Sequence, residues 1–375
     1  MKILFIIPSY KPATIYGGTI TVSARLAETL ALKGHSVTVY TTTANGNEEL
    51  PVDSDSPIVV EGVIVRYFKR VTGDHTHISP DLLSATWRTV RDFDAVHLHS
   101  WWNPLIIAAT WVCKRRGVKP VLSPHGMLCD YIFGKKKTVK ALIHSTIGKR
   151  LLRHTLLHVS SEAEWKESVR VNPTWQGQTI FNLVDLADKT FSRTSNKVFT
   201  IGFLSRIDAK KGLDILIKAL SLVEFNFALK IAGSGDEEYV NELKILARDC
   251  GIETKLDWLG WKKGDERFEF LASCDLFALT SHNENFAVVV VESLNVGTPV
   301  LLSRHVGLSA YVQKRGLGWE TDIADIKNVA ASLRDAYNAS KNRAEIEKKS
   351  KETIERDFDP SFLAEQYISF YKKTL

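Results

Sequence analysis

Apolar and polar residues alternate along this chain in blocks with two different periods. KILFII at residues 2–7 is a continuous apolar run of the kind found in buried strands. A glycine-containing loop follows, then TVSARLAETLALKG, in which Val22, Leu26 and Leu30 recur every four residues up to a helix stop at Gly34. SVTVYTT, DAVHLHS and KPVLSPHG continue the strands, with LIIAATWVCKRRG as a helix between the last two. LLHVSS and QTIFN complete a first sheet. After a polar, weakly periodic stretch at 185–197, which reads as a linker, the alternation restarts. Strands FTIGFLS, FALKIAG, KLDWLG, DLFALTS and TPVLLS are interleaved with helices KGLDILIKALSLV, EYVNELKILARDCG and DERFEFLASC. From residue 322 onward the pattern is mainly helical. Such alternation predicts two doubly wound parallel α/β domains in tandem. Their ligands are expected outside the carboxyl edges of the strands, where the two halves would face each other across a cleft.

One stretch resists simple patterning. SHNENFAVVVVESLNVGTPV, residues 281–300, sets Glu284 and Glu292 around one alanine and four valines. As a strand it would leave Glu292 buried or on an edge and VESLNVG unassigned. As a helix it gains a stop at Gly297 and Pro299, and each valine costs only a few tenths of a kcal/mol. The helix is the preferred reading. It places Glu284 in the preceding loop and Glu292 about two turns in, on the face shared with Asn285 and Val289.

Composition narrows the class without choosing a function. The 375 residues are 44% hydrophobic and 25% charged, enough for two ordinary globular cores. Cys113, Cys129, Cys250 and Cys274 are scattered, with no C-x-x-C pair, so neither a zinc site nor a disulfide framework is expected. The apolar run before Pro8 is too short for a signal peptide, and no other run is long enough to span a bilayer. A cytoplasmic location is therefore expected. The net charge of +6 favours anionic partners. Seven cations and no acid lie between Asp130 and Glu162: Lys135, Lys136, Lys137, Lys140, Lys149, Arg150 and Arg153. Val139, Leu142, Ile143 and Ile147 form a helical apolar stripe among them. The segment is either a surface helix with a solvated charged face or one that lies on an anionic membrane.

Several residues could carry chemistry. Gly17 and Gly18 follow the first strand and open the first helix. They either satisfy a turn or let the backbone approach a phosphate or sugar. The spacing is not G-x-G-x-x-G and no acid closes the second strand, so a dinucleotide site is disfavoured. Arg206 lies just past a strand, and Lys211 stands beside Gly212 at a helix start. The two make either a solvated basic turn or a diphosphate clamp. His125, in LSPHGM at a strand end, is either packed or a hydrogen-bond partner of a substrate oxygen. His97 and His99 alternate along a strand, with no third ligand nearby, and are expected to pack rather than bind metal.

In their order and spacing Gly17-Gly18, His125, Arg206 with Lys211, and Glu284-x7-Glu292 resemble the retaining glycosyltransferases of family 4, also called group 1. The resemblance covers essentially the whole chain. It implies the GT-B fold: two Rossmann-like domains, here 1–185 and 186–356, with a helix at about 357–375 returning to the first. It implies that Arg206 and Lys211 bind the diphosphate of a nucleotide-sugar, with Glu284 on the sugar hydroxyls and Glu292 on the ribose. Backbone amides near Phe286 and Ala287 would help hold sugar and phosphate, with His125 beside the transferred sugar. The Gly17-Gly18 loop would face the phosphates and acceptor. The family's E-G-F-G reads Glu284-Asn285-Phe286-Ala287 here, with both glycines replaced. Its PNG becomes FNL, keeping only Asn182.

The implied reaction moves a sugar from a nucleoside-diphosphate sugar, uridine first and guanosine next, to a glycan or lipid-linked acceptor. No metal and no tightly bound cofactor is required. The route is front-face attack, with the leaving phosphate taking the acceptor proton. Products would be surface polysaccharide or glycolipid, made in the cytoplasm or peripherally on the inner face of the cell membrane. Two other classes fit less well. A nicotinamide-dependent oxidoreductase lacks its glycine fingerprint and ribose-binding acid. A nucleic-acid-binding protein predicts aromatics interleaved with the basic segment, which is instead aliphatic. A degenerate, non-catalytic nucleotide-sugar-binding protein of the same fold remains the alternative.

Overall fold

The computed structural model describes residues 1–129, 144–191, 196–339 and 343–375. Lys135, Lys136, Lys137 and Lys140, and most of the apolar stripe beside them, lie outside the described residues. The chain divides into two compact units, Met1–Leu183 with Pro360–Leu375, and Val184–Asp359.

Unit 1 is built on β1 (Lys2–Ile6), β2 (Ser36–Thr42), β3 (Ile58–Val60), β4 (Val63–Phe68), β5 (Ala95–His99), β6 (Val121–Ser123), β7 (Leu156–Val159) and β8 (Gly177–Thr179). The sheet order is β8-β7-β6-β5-β1-β2-β4-β3. All pairs are parallel except the β3–β4 edge hairpin, which residue patterning did not single out. Its helices include α1 (Gly18–Leu32), α2 (Pro80–Thr89), α3 (Pro104–Arg115), α4 (Lys149–Leu152) and α5 (Glu162–Val171). The central strands read as unbroken apolar runs because both faces are covered: Ile3, Leu4, Phe5 and Ile6 are all fully buried. Leu4, Ile6, Leu98 and Leu122 share one core with Trp101, which precedes α3, and with Leu105 and Ile106 in its first turn.

Unit 2 comprises β9 (Phe199–Leu204), α6 (Leu213–Leu220), β10 (Phe227–Ala232), α7 (Glu237–Asp249), β11 (Leu256–Gly260), α8 (Asp265–Ala272) and β12 (Leu276–Leu279). It continues with α9 (Val288–Asn295), β13 (Val300–Ser303), α10 (Ser309–Arg315), β14 (Gly318–Thr321), α11 (Ile326–Asn338) and α12 (Arg343–Asp357). Its all-parallel sheet runs β11-β10-β9-β12-β13-β14. The last helix of the chain, α13 (Pro360–Tyr371), belongs to unit 1 and packs on α1.

Both sheets reverse direction beside their first strand, between β1 and β5 in unit 1 and between β9 and β12 in unit 2. Where order reverses, the connecting loops diverge and leave a crevice at the carboxyl ends of the strands. Gly17, Ser100 and His125 follow β1, β5 and β6. Arg206 and Glu284 follow β9 and β12.

Candidate functional site

The switch point of unit 2 gathers the charged residues singled out by pattern. After β9 the chain passes Arg206, then the 3-10 turn Ala209–Lys211, and enters α6 through Gly212 in the left-handed conformation (φ 66°). A Cβ at Gly212 would lie 2.1 Å from the Thr280 carbonyl oxygen, so only glycine lets this turn pack on the end of β12. The contact is sealed by Thr280 Oγ1 donating to the Gly212 carbonyl (2.7 Å) and His282 N–H donating to the Lys210 carbonyl (2.8 Å). Lys211 is thereby brought onto Glu284 as a close ion pair, both side chains mostly buried. Arg206 is exposed and makes no hydrogen bond or ion pair among the described residues.

Glu284 is fixed by its backbone as well. Its N–H donates to the His305 carbonyl (3.0 Å), and its own carbonyl accepts from Gly307 N–H (2.8 Å). Phe286 is buried and meets Phe358 edge-on. The stretch that follows is the helix expected from its pattern, α9, with Gly297 just past its end at φ 86°. A helix here would be expected to turn its four valines to the core; Val290 and Val291 are buried, but Val288 and Val289 are only half-buried where the helix begins. Ala287, which stands where the family pattern has glycine, adopts φ 67° and ψ 79°. A Cβ in that region costs on the order of 1 kcal/mol. Ala287 also provides no side-chain cap, so the first turn of α9 keeps unclaimed N–H groups beside Glu284.

Glu292 is 5% exposed and lies 3.1 Å from Arg267 Nε of α8, off the N–H axis. Arg267 Nη2 is also 3.7 Å from Asp185. Removal from water pushes the Glu292 carboxyl up to about 7; Arg267 opposes this and Asp185 adds to it. Nothing in the local sequence of α8 marks Arg267. A second feature missed by pattern is Gly233-Ser234-Gly235 at the end of β10. Added Cβ atoms there would lie 1.9 Å from the Ser205 carbonyl oxygen and 2.0 Å from that of Ile207, so this turn packs directly on the Arg206 loop.

In unit 1, Gly17 (φ 81°) caps α1 with no side-chain bond, and a Cβ at either Gly17 or Gly18 would meet only open space. The pair leaves room above a bare helix N-terminus, the arrangement that receives anions. His125 and Ser100 both have positive φ (51° and 77°), strain concentrated where β5 and β6 end. Glu164, buried in the first turn of α5, holds the His125 turn by accepting from Gly126 N–H (2.6 Å) and Ser160 N–H (2.9 Å).

His97 and His99 are buried in the packed interior, and His97 also joins a directed hydrogen-bond chain. His158 Nε2 faces the Ile180 carbonyl (3.0 Å) and so carries the proton. Its Nδ1 then accepts from Ser123 Oγ (2.6 Å), Ser123 accepts from His97 Nε2 (2.6 Å), and His97 Nδ1 accepts from Tyr371 of α13 (2.8 Å). Beside this chain His99 Nδ1 meets His125 Nε2 and Ser23 Oγ, both at 3.0 Å, with the two imidazoles stacked. His99 Nε2 is buried without a partner among the described residues. A bare lone pair is cheaper to bury than a bare N–H, which places the His99 proton on Nδ1 and leaves His125 with its proton on Nδ1. Burial lowers the pKa of His97, His99, His125 and His158 alike, so the set is neutral. No group of three or more His, Cys, Asp or Glu that could hold a metal occurs among the described residues.

Comparison with known proteins gives the family and the fold. The family described as glycosyl transferases group 1 matches residues 187–353, and the one described as glycosyltransferase family 4 matches residues 16–186. The chain belongs to the group 1, family 4 glycosyltransferases. The lipopolysaccharide core biosynthesis glycosyltransferase LpsE of Rhizobium meliloti is 26% identical over 208 residues, spanning 56% of this chain and 59% of that protein. The N-acetyl-alpha-D-glucosaminyl L-malate synthase of Bacillus anthracis is 23% identical over 96% of this chain and 94% of its own. Anabaena HepE, solved with UDP-glucose, superposes with a TM-score of 0.72 at 20% identity, covering 98% of both chains. The fold of this group 1 glycosyltransferase is accordingly GT-B, with two Rossmann-like parallel sheets.

Proposed function

We propose that the enzyme is a retaining glycosyltransferase using a nucleoside-diphosphate sugar, with a uridine diphosphate sugar favoured and a guanosine diphosphate sugar next. The observation that carries this reading is the unit 2 switch point. There an unpaired Arg206, a Lys211 already drawn to Glu284, and the uncapped start of α9 converge at the carboxyl ends of β9 and β12. Two cations and a helix N-terminus neutralise the charge that grows on a leaving diphosphate. Glu284 positions the sugar hydroxyls, Glu292 receives the ribose, and the amides near Phe286 and Ala287 complete the cradle. On unit 1, His125 offers its Nδ1–H to a substrate oxygen. The bond from the anomeric carbon to the phosphate oxygen breaks as the acceptor oxygen bonds on the same face, and the departing phosphate takes the acceptor proton. The proposal needs no metal and no tightly bound cofactor.

The acceptor is a glycan or a lipid-linked glycan in surface polysaccharide or glycolipid synthesis, reached in the cytoplasm or at the inner face of the cell membrane. LpsE, a lipopolysaccharide core biosynthesis enzyme by name, supports the acceptor class, and HepE with UDP-glucose supports the donor class. Among the described residues no helix is long and apolar enough to cross a membrane. A non-catalytic nucleotide-sugar-binding protein is the second reading, favoured by the strained Ala287 at the cradle. A thermal-shift screen of nucleotide-sugars identifies the donor, because a ligand of the folded state raises the melting temperature. Release of nucleoside diphosphate from that donor with acceptor present then decides between enzyme and binder.

A further inference from the structure

Unit 1 carries an exposed aromatic and basic patch that the transfer reaction does not use. Trp87 of α2 and Trp111 of α3 are 42% and 44% exposed and stack on each other, ring centroids 6.2 Å apart. Arg115 lies over the Trp111 ring at 5.3 Å and Arg116 over the Trp87 ring at 5.4 Å. The patch extends on both sides. Arg91 Nε donates to the Arg116 carbonyl (2.7 Å), and Lys114 Nζ reaches the Arg150 carbonyl at the start of α4 (3.4 Å). Residues 80–92, 104–116 and 149–153 hold eight cations against two carboxylates, Asp81 and Asp92. None of those eight cations forms an ion pair among the described residues, and Ile147 beside α4 is itself 52% exposed.

We propose that this face docks the enzyme on an anionic lipid bilayer. Large apolar rings left in water beside unneutralised cations have little to contribute to the core of unit 1, whereas a bilayer surface satisfies both. Phosphate headgroups meet the guanidinium and ammonium groups, and indole edges enter the headgroup layer. The geometry argues against single-stranded nucleic acid, which needs free ring faces for base stacking. Here one face of each indole is turned to the other indole, and an arginine covers each ring as well. The described cations of the basic segment, Lys149, Arg150 and Arg153, adjoin the same face, which extends the sequence expectation to residues no motif had marked.

The inference deepens the acceptor side of the proposed function, and rests on that reading only for why the enzyme visits a membrane. It is tested on the full chain without donor or acceptor, so its failure leaves the transfer chemistry standing, and failed nucleotide binding leaves the docking face standing. Sedimentation with phosphatidylcholine vesicles, alone and with phosphatidylglycerol, is expected to show binding only to the anionic vesicles, weakening as salt rises. Replacing Arg115 and Arg150 by serine is expected to weaken it about thirtyfold, from the contribution of two surface cations. Vesicles with brominated acyl chains are expected to quench tryptophan fluorescence in the wild type and much less in W87F/W111F, a variant that keeps the apolar bulk. Equal binding to neutral vesicles, unchanged affinity in the arginine variant, or quenching retained in W87F/W111F would each overturn the proposal. So would tight binding of a single-stranded oligonucleotide without vesicle binding. A thermal melt matching the wild type confirms that each variant is folded.

Discussion

Replacing Glu292 by glutamine should make unit 2 more stable at alkaline pH and change it little at acid pH. Glu292 sits in α9 with 5% exposure, and its pKa rises from 4.5 to about 7 because burial outweighs the attraction of Arg267. A carboxyl whose folded pKa is raised favours folding when protonated. That contribution is complete below the unfolded value and is lost as pH climbs through about 7. The shift of 7 − 4.5 units corresponds to about 3 kcal/mol, of which about 2–3 kcal/mol separates pH 5 from pH 8. Glutamine keeps the shape and cannot ionise. Urea unfolding of wild type and E292Q at both pH values is the assay, and the buried histidines titrate in both proteins and cancel in the difference. E292Q should gain about 2–3 kcal/mol over wild type between pH 5 and pH 8. A difference that stays flat with pH, or a variant less stable at pH 8, would refute the reasoning by showing that Arg267 fully compensates the buried charge.

Three further outcomes follow from the site. A double-mutant cycle of Lys211→Met and Glu284→Gln should give a coupling of roughly 1 kcal/mol by urea unfolding, since the pair is mostly but not wholly buried. Additive effects would mean the contact is adventitious. At Ala287, substitution by glycine should hold or raise stability by up to about 1 kcal/mol, and valine should lower it by more than that. Equal stability of the two variants would count against the left-handed backbone. His99→Phe should release the His125 ring into a mixture of tautomers, read from its ¹⁵N chemical shifts, while the wild type shows the Nδ1–H form. An unchanged His125 spectrum would mean His99 does not set the tautomer.

The parts of this molecule that were legible in sequence share a physical cause. Strands buried on both faces, such as β1 and β12, must be continuous apolar runs, and the helices between them must carry a four-residue stripe, so the central strands of both sheets could be read directly. The edge strands β3 and β14 are half-exposed and short, so burial imposes no such pattern on them. The same division applies at the site. Arg206, Lys211, Glu284 and Glu292 announce themselves because charged residues flanking glycine turns at strand ends are unusual for packing alone. Their pairings do not: Lys211 reaches Glu284 only because β9 lies beside β12, and Arg267 meets Glu292 only through the packing of α8 on α9. His97 and His99 were read as packed because their partners, Ser123, His158 and Tyr371, come from strands and a helix up to 274 residues away. Glu164 and the Gly233-Ser234-Gly235 turn were visible as residues, yet only the folded neighbours show what each one holds.

The proposed chemistry depends above all on Arg206 and Lys211 gripping a diphosphate. The most direct test is calorimetric titration of the nucleoside diphosphate and monophosphate, in whichever of the uridine or guanosine series binds, to wild type and to R206A/K211A. Charge-assisted contacts to the β-phosphate should make the diphosphate about 10- to 100-fold tighter for the wild type, and that advantage should vanish in the variant. A variant that keeps the full preference for the diphosphate would contradict the account.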